Sequence, residues 1–116
     1  IVHDAARTDK SYLISDIWKY KGVIIGSCAY NTKVFPPVES LLSALDNRKL
    51  RNRFIGVFGS YSWSGGGVKG IKEYVENSNL ELIEPIVEAQ YSPGNEMFAE
   101  CDKLASAMAE KVLEEE

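Results

Sequence analysis

Three short runs of apolar residues constrain this chain more than any other feature: Gly22-Val23-Ile24-Ile25-Gly26, Phe54-Ile55-Gly56-Val57-Phe58, and Leu80-Glu81-Leu82-Ile83 continuing toward Ile86 and Val87. Their apolarity is continuous rather than alternating, which fits strands covered on both faces, as in a parallel sheet. Between and around them lie segments of helical period: Leu13, Ile14, Ile17 and Trp18; Val38, Leu41, Leu42 and Leu45; Val68, Ile71 and Val75. A fourth stripe, Met97, Phe98, Cys101, Leu104, Ala105, Met108 and Val112, predicts a last helix with Cys101 in its core. Thr8-Asp9 can cap the first helix, Pro36-Pro37 opens the second, and Ser92-Pro93 begins the turn into the last. Ile1-Val2-His3 is a short strand candidate. Alternating strands and helices joined by right-handed crossovers predict an α/β domain with helices on both faces of a parallel sheet.

At 116 residues the chain holds one core, so residues 1–116 are expected to form a single domain. A net charge of −4 argues against nucleic-acid binding, which needs a concentrated excess of Lys and Arg. The one basic cluster, Arg48-Lys49-Leu50-Arg51-Asn52-Arg53, reads as a solvated helix end whose cations complement the dipole. No apolar run approaches the ~20 residues that cross a bilayer. No basic stretch with an apolar segment opens the chain, so a cytoplasmic location is expected. Cys28 and Cys101 form no CxxC pair and read as reduced thiols, Cys28 in a loop.

In open α/β sheets ligands bind beyond the carboxyl ends of the strands, so the segments after the apolar runs carry the functional argument. The first is Gly26-Ser27-Cys28-Ala29-Tyr30-Asn31-Thr32 and the second Gly59-Ser60-Tyr61-Ser62-Trp63-Ser64-Gly65-Gly66-Gly67. Glycines allow positive φ and close backbone approach, hydroxyls supply adaptable hydrogen bonds, and Tyr61 and Trp63 offer flat apolar faces. A planar heteroaromatic ligand suits the second segment, and Tyr30, Asn31 and Ser27 can complete a clamp from the first. A phosphate at the following helix N-terminus is the competing functional reading. However, no GxxxxGKS pattern is present, and Lys69 stands too far into the helix to serve it. A flexible turn with incidental aromatics is the plain structural alternative.

Other constellations are incomplete. With His3 the only histidine, neither a Ser-His-Asp relay nor a histidine-based metal cluster can be assembled. Asp4 and Arg7 read as a local ion pair or cap, Trp18 and Tyr20 as core and rim, and Glu88, Glu96 and Glu100 as surface carboxylates. The terminal Glu114-Glu115-Glu116 reads as a frayed, solvated end.

Together these segments resemble the flavodoxin-like FMN domain of the flavodiiron proteins, also called A-type flavoproteins. That family carries a Gly-Ser-Tyr-Gly-Trp-Ser-Gly-Gly type loop, matched by residues 59–66 with Ser62 in place of one glycine. Its preceding Gly-Ser-Pro-Thr-Tyr-Asn loop is matched by Gly26, Ser27, Tyr30 and Asn31, while Cys28 and Ala29 depart from it. The Asp4-Ala5-Ala6-Arg7-Thr8-Asp9 stretch and the Ile17-Trp18 helix end are also similar, so the likeness covers nearly the whole chain.

The resemblance implies an FMN bound by Ser27, Tyr30, Asn31, Gly59, Ser60, Tyr61, Trp63, Ser64, Gly65 and Gly66. It implies an oxidoreductase component for electron transport, fed by rubredoxin or a reductase. The electrons pass to a diiron centre that reduces dioxygen or nitric oxide and is held by a separate lactamase-like domain. Two further readings stay open: a free-standing flavin-dependent reductase, and a degenerate flavodoxin-like domain that binds a protein partner. Self-association into a homo-oligomer is compatible with each.

Flavodoxin is itself the reference example of the strand order 2-1-3-4-5. In that register Ile1-Val2 is strand 2 and Val23 begins strand 3, so the first strand and its hydroxyl-rich phosphate loop are absent. The expectation is a fold truncated at its N-terminus that by itself binds FMN weakly. The chain is then a fragment, or a strand from another chain fills the gap, or Ile1-Val2-His3 repacks directly beside the Val23 strand.

Overall fold

The computed structural model describes residues 1–30, 33–61, 66–90 and 94–114. Their order is α1 (Lys10–Lys19), β1 (Gly22–Tyr30), β2 (Lys33–Val34), α2 (Pro36–Asn47), β3 (Phe54–Tyr61), α3 (Gly67–Asn77), β4 (Glu81–Gln90) and α4 (Asn95–Glu114). The sheet runs β2-β1-β3-β4, with β1, β3 and β4 parallel and the two-residue β2 antiparallel to the end of β1.

The helices start where local chemistry favours it. Asp9 caps α1, its carboxylate accepting from the Ser11 N–H at 2.9 Å. Pro36 and Pro37 occupy the first turn of α2, where a missing N–H costs nothing. Two C-termini share one device. After α2, Lys49 takes φ 54° and Leu50 N donates back to Leu45 O; after α3, Asn79 takes φ 56° and Leu80 N donates to Val75 O. Each left-handed residue turns the chain so that the following leucine is buried.

Helices lie on both faces of the sheet. Ile25, Ile55 and Val57 pack with Leu13 and Ile17 of α1, Leu41 and Leu45 of α2, and Ile71 and Val75 of α3. On the opposite face Phe54, Ile83 and Val87 pack with Leu104 and Met108 of α4. This alternation along β3 confirms the reading of continuous apolar runs as strands sandwiched between helices.

Several expectations are corrected. The strands run on past the apolar residues, because the ladder pairs backbone groups whatever side chains they carry. Ser27 stands opposite Gly59 and Cys28 opposite Ser60, so Cys28 is a strand residue and not a loop residue. The hairpin to β2 was not foreseen. The third run is interrupted: Gly56 faces Ile83 and Phe58 faces Val87, the extra β4 residues bulging at Glu84-Pro85-Ile86, where proline has no N–H to lose. Cys101 is exposed rather than in the core, as is Phe98, because α4 reaches the sheet chiefly through Leu104 and Met108. Trp18, expected in the core, is 40% exposed on the rim of α1.

The basic cluster is not simply a solvated helix end. Leu50 is buried, and the Arg53 guanidinium reaches another helix, donating from Nε to Ile17 O (3.2 Å) and from Nη2 to Trp18 O (3.0 Å) at the end of α1. Ile1-Val2-His3 forms no strand and does not repack beside β1, since Ile1 and Val2 are exposed and His3 instead pairs with Asp16 of α1. Asp4 caps its own turn, accepting from Ala6 N, and lies 3.7 Å from Arg7, so both expected roles are combined.

Candidate functional site

The parallel pairing of β1 and β3 brings the two singled-out segments to neighbouring strand ends. Two glycines set how closely they approach. A Cβ on Gly59 would stand 2.5 Å from Ser27 O, and one on Gly67, the first residue of α3, would stand 2.8 Å from Cys28 O. Both meet backbone, which cannot swing away. No described glycine has positive φ, so of the two uses foreseen for these glycines, close approach is the one seen here.

Ser27 ties the end of β1 to the start of α2. Its hydroxyl is buried, donates to Cys28 O at 2.7 Å and accepts from Phe35 N at 3.0 Å. The hydroxyl hydrogen is therefore committed within the protein, and one lone pair remains for a ligand.

A cavity of about 300 Å³ opens at these strand ends. Gly26, Ser27 and Cys28 form one wall, Phe58, Gly59 and Ser60 another, and Phe35 with Val38 a third. The fourth is the segment 3–6, of which Asp4 reads in the sequence as a local ion pair or cap and Asp4-Ala5-Ala6 as a family likeness. Val38 and Phe58 read as fold residues in the sequence and Phe35 is not singled out there, since nothing local distinguishes a lining aromatic from a packed one. Apolar walls with a hydroxyl and backbone edges suit one end of a planar heteroaromatic group.

Of the remaining predicted residues, Tyr30 is the last of β1, and its backbone alone is described. Tyr61 ends β3, half-buried and paired with Gln90 of β4. Gly66 is buried at the N-terminus of α3 and borders a separate groove of about 800 Å³ between α2 and α3. Asn31, Trp63, Ser64 and Gly65 lie outside the described residues, as does Ser92-Pro93. The structure thus brings Ser27, Gly59 and Ser60 to one cavity.

Electrostatics near the site are modest. The hydrogen bond from His3 holds the Asp16 carboxyl below its ordinary range, with Lys19 nearby. Among the described residues no group of three or more His, Cys, Asp or Glu side chains is placed to hold a metal ion. No helix among them is long and apolar enough to cross a membrane.

Solved structures identify the architecture. An archaeal flavodoxin superposes with a TM-score of 0.80 at 22% identity, covering 93% of this chain and 73% of its own. The fold is flavodoxin-like. This flavodoxin-like chain also matches rubredoxin oxygen:oxidoreductase from Desulfovibrio gigas, with a TM-score of 0.88 at 23% identity over 93% of this chain and 27% of that one. The flavodiiron core from Synechocystis gives a TM-score of 0.90 at 18% identity, over 97% and 28%. In sequence the flavodoxin-like chain is 29% identical over 100 residues to the anaerobic nitric oxide reductase flavorubredoxin of Aeromonas hydrophila, covering 86% of this chain. It spans about a fifth of that relative's length. No family model matches it.

Proposed function

We propose that residues 1–116 are a single flavin domain that carries electrons within a flavodiiron-type oxygen or nitric oxide reductase. The observation that supports this most is the juxtaposition of the β1 and β3 ends, pressed together at Gly59 and Gly67, in a chain similar to a flavorubredoxin. An FMN held there would accept and release electrons one or two at a time; the chain's own residues place it and exclude water.

In this reading Tyr30, Tyr61 and Trp63 flank the ring. Asn31, Ser60, Ser64 and the amides of Gly65 and Gly66 bond its polar rim, and Ser27 fixes the strand end that presents Tyr30. The wall formed by Phe58, Phe35 and Val38 suits a flat apolar ring, and among the described lining residues none is a lysine or arginine. A rubredoxin-type donor and a fused diiron domain complete the proposal, on the strength of the relatives' names, and a cytoplasmic location belongs to the same reading.

The test is an FMN titration followed by flavin fluorescence, on this chain and on a longer polypeptide that contains it. Weak binding by the chain and tight binding by the longer form are expected. Tyr30→Ala and Trp63→Ala should each weaken the longer form several-fold to about tenfold, the range for loss of one aromatic contact. Failure of the longer form to bind flavin would overturn the reading.

A further inference from the structure

Charge is unevenly shared along this chain. Residues 1–53 carry nine lysines and arginines against five acidic side chains, whereas residues 54–116 carry four against twelve. The fold turns that imbalance into geometry. Residues 1–53 supply α1, β1, β2 and α2, residues 54–116 supply β3, α3, β4 and α4, and the sheet order β2-β1-β3-β4 keeps the two sets on opposite sides.

The division is plain at the end of the sheet remote from the cavity, where the parallel strands begin. Phe54 N donates to Lys21 O and Glu81 N to Arg53 O, which sets the entries to β1, β3 and β4 in one row. To one side of the row Arg53 holds the last carbonyls of α1, so Lys19 and Lys21 share this end with Lys49 and Arg51, which follow α2. To the other side Glu81 pairs with Lys111 of α4 at 3.2 Å. Glu110 and Glu114, on the same last turns of α4, and Glu76 at the end of α3 are exposed. Asp46 on the basic side and Lys111 on the acidic side are the minority charges. Each half also carries bare apolar surface: Trp18 and Tyr20, 40% and 49% exposed, among the cations, and Leu113, 64% exposed, among the carboxylates.

We infer that this face binds a second copy of the chain. It is complementary to itself: a two-fold axis lying in the face, along the boundary between its halves, sets each basic half on the acidic half of the other copy. The same operation brings Trp18 and Tyr20 of one copy to Leu113 of the other, an apolar centre inside a charged rim. A nucleic acid fits less well, because a polyanion long enough to cover the cations also meets the carboxylates. Extents of 37 × 28 × 26 Å give any face of the molecule a footprint comparable with the ~800 Å² per partner of a standard interface. The cavity lies at the opposite ends of the strands and stays open in such a dimer. Charges on the rim keep contact with water, so the pairs that align the two copies are individually weak and sensitive to salt.

Sedimentation equilibrium tests this without flavin, so its outcome and that of the FMN titration are separable. The chain should show a monomer–dimer equilibrium whose dissociation constant rises at least ~tenfold between ~0.1 and ~1 M salt, as the screening length falls from ~10 to ~3 Å. Glu110→Lys with Glu114→Lys makes the face basic throughout, and Lys49→Glu with Arg51→Glu makes it acidic. Each double variant alone should be monomeric where the parent dimerises. An equal mixture of the two should dimerise again, since every half then meets its opposite; a variant that had merely lost its fold would not be restored. Three results would overturn the inference: a chain that stays monomeric at ~0.1 M salt, whether or not an acidic polypeptide such as polyglutamate binds its basic half; a dimer indifferent to salt and to both reversals; or reversed variants that ignore each other on mixing.

Discussion

The ring of Phe58 lies across the backbone of Gly26, so closely that a Cβ at residue 26 would sit 2.0 Å from the ring's Cζ. The two face each other in the parallel register, and no other residue type at 26 leaves the ring where it is. Gly26→Ala should cost about 1 kcal/mol, the lower end of overpacking effects, because Phe58 is partly exposed and can swing outward. Urea denaturation of the single variants and of Gly26→Ala with Phe58→Ala forms a double-mutant cycle. The penalty of the alanine should largely vanish once the ring is gone; an unchanged penalty would mean that the glycine serves the backbone and not the ring.

Gly59 meets backbone instead of a mobile ring, so Gly59→Ala should cost more, about 2 to 3 kcal/mol, by forcing β1 and β3 apart at the cavity. Gly94, whose Cβ would meet nothing within 4 Å, is the internal control. Gly94→Ala should stay within about 0.5 kcal/mol of the parent. Equal effects at the two positions would remove the argument for close approach.

Arg53 holds two carbonyls at the end of α1 from a position 35 and 36 residues away. Arg53→Met keeps much of the stem and loses the bonds, with an expected loss of about 1 to 2 kcal/mol. Arg53→Lys should recover little of it, since an ammonium cannot reproduce the planar fork. Thermal unfolding distinguishes these outcomes, and full recovery by lysine would reduce the contact to a general charge effect.

Lys49 adopts a left-handed conformation that costs a β-carbon about 1 kcal/mol. Lys49→Gly should therefore raise stability by up to about 1 kcal/mol, or roughly 4 °C in Tm for a chain of this size. A lower Tm would show that the lysine side chain contributes more than its backbone costs.

Two aspartates are expected to contribute to the acid limb. The Ser11 N–H and hydroxyl hold Asp9 below its ordinary value, and the hydrogen bond from His3 does the same for Asp16. A depressed carboxylate contributes stability that is fully present above its unfolded-state pKa, about 3.9, and is lost as pH falls through the lower folded-state value. Melting temperature should thus drop on acidification below about pH 4, and Asp9→Ala should flatten that drop while lowering stability at neutral pH. An acid limb as steep in Asp9→Ala and Asp16→Asn as in the parent would locate the titrating groups elsewhere.

Local chemistry was readable without coordinates. Continuous apolar runs announced sandwiched strands, the 3.6-residue stripes announced α1 to α4, and Asp9 and Pro36-Pro37 marked two helix starts, because each depends on residues within a turn or two of itself. The order of the segments around residues 26–32 and 59–67 likewise placed the candidate site at adjacent strand ends. Tertiary structure alone decided the rest. Ile1-Val2-His3 forms no strand, and His3 pairs with Asp16 of α1 instead; Cys101 and Phe98 are exposed because α4 reaches the sheet through Leu104 and Met108; and the α1 carbonyls held by Arg53 and the Phe35 N–H accepted by the Ser27 hydroxyl come from other parts of the chain. Sequence periodicity reports which face a residue prefers to bury, but pairing partners and cover are supplied by chain distant in sequence, and no local pattern encodes them.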